Sequence, residues 1–146
     1  MPANTTPIFP LTPKCSWSGN IQTANTAKDG SGTVFTAFTA GANGSRIDQI
    51  KVRALGTNVA TVLRFFVNNG LTNATPNNNS LIHEETIAAT TLSEVAALAD
   101  KDVLIPKNGG VVAVPIPFLP AGYKINCTIG TAIAAGLEVT VHGGDY

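Results

Sequence analysis

Leu119-Pro-Ala-Gly-Tyr-Lys-Ile-Asn-Cys-Thr-Ile-Gly-Thr-Ala-Ile-Ala-Ala-Gly-Leu-Glu-Val-Thr-Val-His-Gly-Gly-Asp-Tyr146 is the stretch on which the fold turns. Tyr123, Ile125, Cys127 and Ile129 share one side of an extended chain, and Lys124, Asn126 and Thr128 share the other. Leu137, Val139 and Val141 oppose Glu138, Thr140 and His142 in the same way. A period of two is the mark of a strand with one buried face. Small residues join the two strands, and Gly143-Gly144-Asp145-Tyr146 reads as a blunt stop.

The same theme runs upstream. Ile50, Val52 and Ala54 alternate with Gln49, Lys51 and Arg53 over 46–55, after an Asn43-Gly44 hairpin turn. The strand at 59–67 sets Leu63, Phe65 and Val67 against Val62, Arg64 and Phe66, so both of its faces are expected to be partly covered. Further strands are expected over 33–40 and 81–89. A hairpin is expected from Asp102–Ile105 and Val111–Ile116 around Lys107-Asn108-Gly109-Gly110. Thr91-Leu92-Ser93-Glu94 resembles a capping box, and Leu92, Val95, Ala96 and Ala99 keep helical spacing, which predicts a helix of one or two turns.

The expected fold is therefore all-β: a single antiparallel β-sandwich, jelly-roll-like, of about eight strands with at most one short helix. Pro2, Pro7, Pro10 and Pro13 keep residues 1–25 out of helix and ladder, so an extended N-terminal arm is expected before a β-sandwich domain at 26–146. Ile8, Phe9, Leu11 and Trp17 make that arm too apolar for a free tail; it is expected to lie on a surface, its own or a neighbour's.

Composition narrows the function. The chain has 146 residues, enough for one domain with a real core, and nine basic residues balance nine acidic ones. Only 12% are charged, so the clustered basic face of a nucleic-acid binder is missing and self-association meets little repulsion. No apolar run approaches the ~20 residues that span a bilayer, and no membrane partner is expected. The first residues lack the pattern of a secretory signal, so synthesis in a cytoplasm is expected. Five Asn-x-Ser/Thr triplets, one of them at Asn126, read as chance in so Asn- and Thr-rich a chain.

Titratable groups are sparse. His83 and Glu85 point one way and Glu84 the other, with no third ligand nearby, which reads as a solvated strand face rather than a metal site. His142 stands near Asp145, but no nucleophile elbow accompanies them. The glycines mark turns rather than a phosphate cradle. Cys127 reads as a small buried hydrophobe; whether Cys15 meets it is left open by their spacing. No catalytic residue, cofactor or metal is expected. Phe35, Phe38, Phe65 and Phe66 are expected in the core, which leaves Phe9, Trp17, Tyr123 and Tyr146 as the interface candidates.

Several segments together resemble small structural proteins of tailed bacteriophages: Asp29-Gly30-Ser31-Gly32-Thr33, Ala42-Asn43-Gly44-Ser45-Arg46-Ile47, Leu63-Arg64-Phe65-Phe66-Val67-Asn68-Asn69-Gly70, Leu119-Pro120-Ala121-Gly122-Tyr123-Lys124-Ile125 and the closing Gly143-Gly144-Asp145-Tyr146. The resemblance implies a β-rich virion protein present in many copies. Its expected role is a capsid decoration or cement protein, a homo-oligomer whose partners are phage capsid or tail proteins, made in the host cytoplasm and located in the virion. A carbohydrate-binding module on a tail or fibre, using exposed aromatics and the Asn/Asp of loops 68–80 or 107–110, is the alternative. A small esterase or a cupin-like metal protein comes third.

Overall fold

The computed structural model describes residues 9–98, 100–103 and 118–146. They form two antiparallel sheets from nine strands: β1 (Thr12–Trp17), β2 (Phe35–Thr39), β3 (Ser45–Ala54), β4 (Thr61–Asn68), β5 (Asn79–Ile87), β6 (Asp100–Asp102), β7 (Phe118–Leu119), β8 (Lys124–Ile129) and β9 (Leu137–Asp145). One sheet runs β1-β9-β3-β6, with β7 also paired to β3; the other runs β2-β8-β4-β5. Apart from the β4–β5 hairpin, successive strands up to β6 alternate between the sheets. The expected hairpin at 102–116 falls almost wholly outside the described residues. Among the described residues no helix is long and apolar enough to cross a membrane.

One core lies between the sheets. Ile50, Val52, Val139 and Val141 from the first meet Phe38, Leu63, Phe65, Ile125, Cys127 and Ile129 from the second, all at most 2% exposed. Burying side chains of this size stabilises by about 1.5–3 kcal/mol each before entropy is counted. The alternation read from β3, β8 and β9 therefore matches their inward faces.

Four details differ from expectation. The Pro-rich segment supplies a strand: β1 pairs with β9, Thr12 opposite Asp145 and Trp17 opposite Thr140. Ser18 N–H donates to Val139 O in the same register, so within β1 the even-numbered residues bond to β9 and Pro13 sits where its missing N–H faces away; just before the strand, Leu11 N–H also donates to Asp145 O at 2.8 Å. The chain then crosses to the second sheet, bridging Ile21 to Leu137 and Ala24 to Ile129. Second, Gly143 and Gly144 do not stop β9; the strand runs through them to Asp145. Third, no helix forms over the described part of 91–99; residues 94–96 bend and Val95 is 98% exposed, so the helical spacing has no surface to pack on.

Fourth, Asn126 and Thr128 point away from the core yet are buried, as are Arg64 and Phe66 beside them. Residues 25–33 lie over this outer face. Arg64 Nη1 donates to Asn25 O at 3.2 Å, Lys28 approaches Glu84 at 3.9 Å, and the side chains of Asn73 and Asn79 donate to carbonyls of residues 29–32. The triplet at Asn126 is thus out of reach of any modifying enzyme in the folded chain.

Candidate functional site

The groups able to do chemistry lie mostly at the margins between the two sheets. On one side β1 and β2 are neighbours. Lys14, on the inward face of β1, reaches across: its Nζ donates to Thr39 O at 2.6 Å, pairs with Asp145 at 3.0 Å and lies 4.9 Å from the centre of the Phe38 ring. Asp145 also accepts from Ser45 Oγ and from Gly41 N–H at 3.3 Å. Ser45 is fully buried, so the terminal Asp-Tyr closes a polar knot between β1, β3 and the end of β2.

On the opposite side β5 faces β6. His83 and Glu85 turn inward here, which corrects the solvated-face reading; each side chain is only 18% exposed. The cause is register: His83 pairs with Phe65 and Glu85 with Leu63, both core residues of β4. Glu85 accepts from His83 Nε2 at 3.1 Å and from Lys101, which arrives from β6. Glu84 faces outward and accepts from Arg64 Nε at 2.8 Å. Two lysines of the first sheet therefore latch onto the second, one at each margin.

Both latches are acid-sensitive. For Asp145 and Glu85, burial opposes ionisation, but hydrogen bonds from Ser45 and Lys14, and from Lys101 and His83, outweigh it and hold the carboxyls below their ordinary values of 3.8 and 4.5. A carboxyl whose folded pKa is depressed adds stability that is complete above its unfolded value and lost as pH falls through the folded one. The melting temperature should therefore fall once the pH drops below about 4.5. An Asp145→Asn chain, measured by calorimetry from pH 3 to 7, should be less stable at pH 7 and show a shallower acid limb.

The cysteines do not meet. Cys127 is fully buried in the core, where burial pushes its thiol pKa far up, while Cys15 is exposed on the outer face of β1 opposite His142. In the folded single chain a thiol reagent should reach Cys15 and not Cys127, which should react only after denaturation.

The four interface candidates are not one patch. Phe9, Tyr123 and Tyr146 lie toward the end of the body where β9 stops, and Trp17 lies at the far end of β1. Tyr123 is half-buried against the core, and Tyr146 N–H donates to Gly44 O at 3.2 Å, so both are tied to their own chain. Phe9 and Trp17 are 65% and 61% exposed.

The asparagines expected to meet sugar are engaged elsewhere. Asn68 donates to Asn79 Oδ1 at 2.8 Å, Asn69 to Asn78 Oδ1 at 3.1 Å and Asn78 to Thr72 O at 2.8 Å. With Asn73 and Asn79 on the 29–32 carbonyls, five side chains of this loop are structural. Loop 107–110 lies outside the described residues. A cleft of about 280 Å³ opens between β3, β6 and the end of β5, walled by Val52, Ala54, Ile87 and Ala89 with Asp100 and Lys101. Asp100 is already paired with Lys51 at 3.0 Å and Arg53 at 3.1 Å. Among the described residues no three metal-ligating side chains converge.

Sequence reasoning missed Asn58, read only as a turn residue. It is buried, and its side chain ties its own loop to the one before β9: Nδ2 donates to Gly136 O at 2.8 Å, and Oδ1 accepts from the N–H groups of Ala135 at 2.8 Å and Gly136 at 3.0 Å. No local signal marks such a residue, because its partners lie far along the chain. Comparison with protein-family models, with curated proteins and with solved structures gives no match.

Proposed function

We propose that this chain is a virion structural protein, a capsid decoration or cement protein of a tailed bacteriophage that acts by contact and assembles in several copies. The fold reading that goes with it is a jelly-roll-like β-sandwich. The strand orders β1-β9-β3-β6 and β2-β8-β4-β5, with the chain passing repeatedly between the sheets, support it, and double-sheet rolls of this kind recur in viral shells. The observation that carries the contact reading is the exposed apolar side of β1, set on a body with very few charges. The conspicuous ionic groups are engaged within the chain: Lys101 pairs with Glu85 across the two sheets, Lys14 reaches Thr39 O of the second sheet while pairing with Asp145 in its own, and His83 pairs with Glu85 on the same strand. The resemblance of the turn motifs to phage virion proteins supplies the particle.

On a shell, such a protein would tie neighbouring subunits together against internal pressure. The test compares particles assembled with and without it. Particles lacking it should release their contents at a lower temperature, and electron microscopy should place it on the outer shell. Equal thermal resistance of the two particles would end the cement reading.

A further inference from the structure

Every second residue from Phe9 to Trp17 is exposed, and every one of them is apolar: Phe9 (65%), Leu11 (82%), Pro13, Cys15 and Trp17 (61%). Of the even-numbered neighbours, Lys14 and Ser16 are partly buried toward the second sheet, and Thr12 is exposed at the start of the strand. Beside the stripe, β9 sets Gly144 against Pro13, His142 against Cys15 and Thr140 against Trp17; Glu138, one step beyond Thr140 and paired with Arg53, is the one carboxylate β9 adds to this outer face, and the other charges lie on β3 and β6.

We propose that this stripe is where a second copy of the chain docks, sheet face on sheet face, across a two-fold axis passing near Pro13. Self-complementarity argues for a second copy. A two-fold contact must fit its own image, and the stripe reads nearly the same in both directions: aromatic, apolar, proline, apolar, aromatic. Turned on itself, it stacks Trp17 on Phe9 of the second copy, and Leu11 on its Cys15. Extent agrees with this. At the exposures above, the five side chains offer roughly 500 Å² per copy, so a pair buries about 1,000 Å², the lower bound of specific interfaces. The chain's zero net charge adds no repulsion. Pairing edge to edge is disfavoured because Pro13 lacks the outward N–H a new strand would need, which leaves the face. The inference rests on the self-association in the reading above, not on the particle.

The test is sedimentation velocity of the full chain over a concentration series. Wild type should be a dimer. Leu11→Ser with Trp17→Ser should weaken it by roughly 100-fold or more while the circular-dichroism spectrum of the folded chain is unchanged, while Val95→Ser, at an exposed apolar site elsewhere, should leave the dimer intact. A Leu11→Cys chain under mild oxidant should form a covalent dimer through Cys15 of the second copy, which reports the geometry even if the double variant folds poorly. A dimer indifferent to the double variant, with no such cross-link, overturns this face and leaves self-association standing. A wild type that stays monomeric overturns both.

Discussion

Gly143→Ala should lower the melting temperature by roughly 10 °C, equivalent to about 3 kcal/mol in a chain of this length. The backbone of β9 passes so close to β3 that a Cβ on Gly143 would collide with the carbonyl oxygen of Arg46 and come within 3.2 Å of Ile47 Cα. Both obstacles are main chain in a paired strand, so neither can swing aside. The closeness arises at the irregularity between Ile47 and Gln49, where β3 carries an extra residue against β9. Gly143 has no positive φ, so the requirement is space rather than backbone conformation. Gly122→Ala is the comparison: that residue has φ +73° but nothing within 4 Å of its would-be Cβ, and should cost about 1 kcal/mol from backbone strain. Differential scanning calorimetry of both variants tests the argument; an equal or larger loss at Gly122 contradicts it.

Asn58→Ala should destabilise by a similar amount, about 3–5 kcal/mol, since three backbone groups lose their partners at 1–3 kcal/mol each with some recovery by water. The affected groups sit on the segment before β9, and Asn58 also exchanges two backbone hydrogen bonds with Thr90, at 3.0 and 2.9 Å. Asn58→Asp keeps an acceptor for the Ala135 and Gly136 N–H groups but loses the donor to Gly136 O. It should fall between wild type and alanine in a urea titration. If alanine proves harmless, the loop junction is held by something other than this side chain.

The inward faces of β3, β8 and β9 were legible because each strand has one wet and one dry side, and alternation records that difference. β1 was not, because prolines that argue against a strand interior are harmless at an edge whose N–H groups face outward. The burial of Asn126 and Thr128 was equally hidden: their sheet position was read correctly, but the cover comes from residues about a hundred positions earlier. His83 and Glu85 were placed on a common side, yet which side depended on the pairing with Phe65 and Leu63. The helical spacing at 92–99 failed for the reverse reason, since periodicity without a surface to bury against organises nothing. Of the interface candidates, Phe9 and Trp17 were legible as apolar residues in a polar segment. The stripe joining them needed the register of β1.

Pro13 also bears on how this chain survives crowding. So sparse a set of charges gives weak colloidal protection, and a bare sheet margin invites an amyloid-like ladder of copies. A ring nitrogen without hydrogen, near the start of that margin, denies such a ladder one of its donors. Replacing Pro13 by a residue with an N–H should therefore make the chain more prone to insoluble aggregation on concentration.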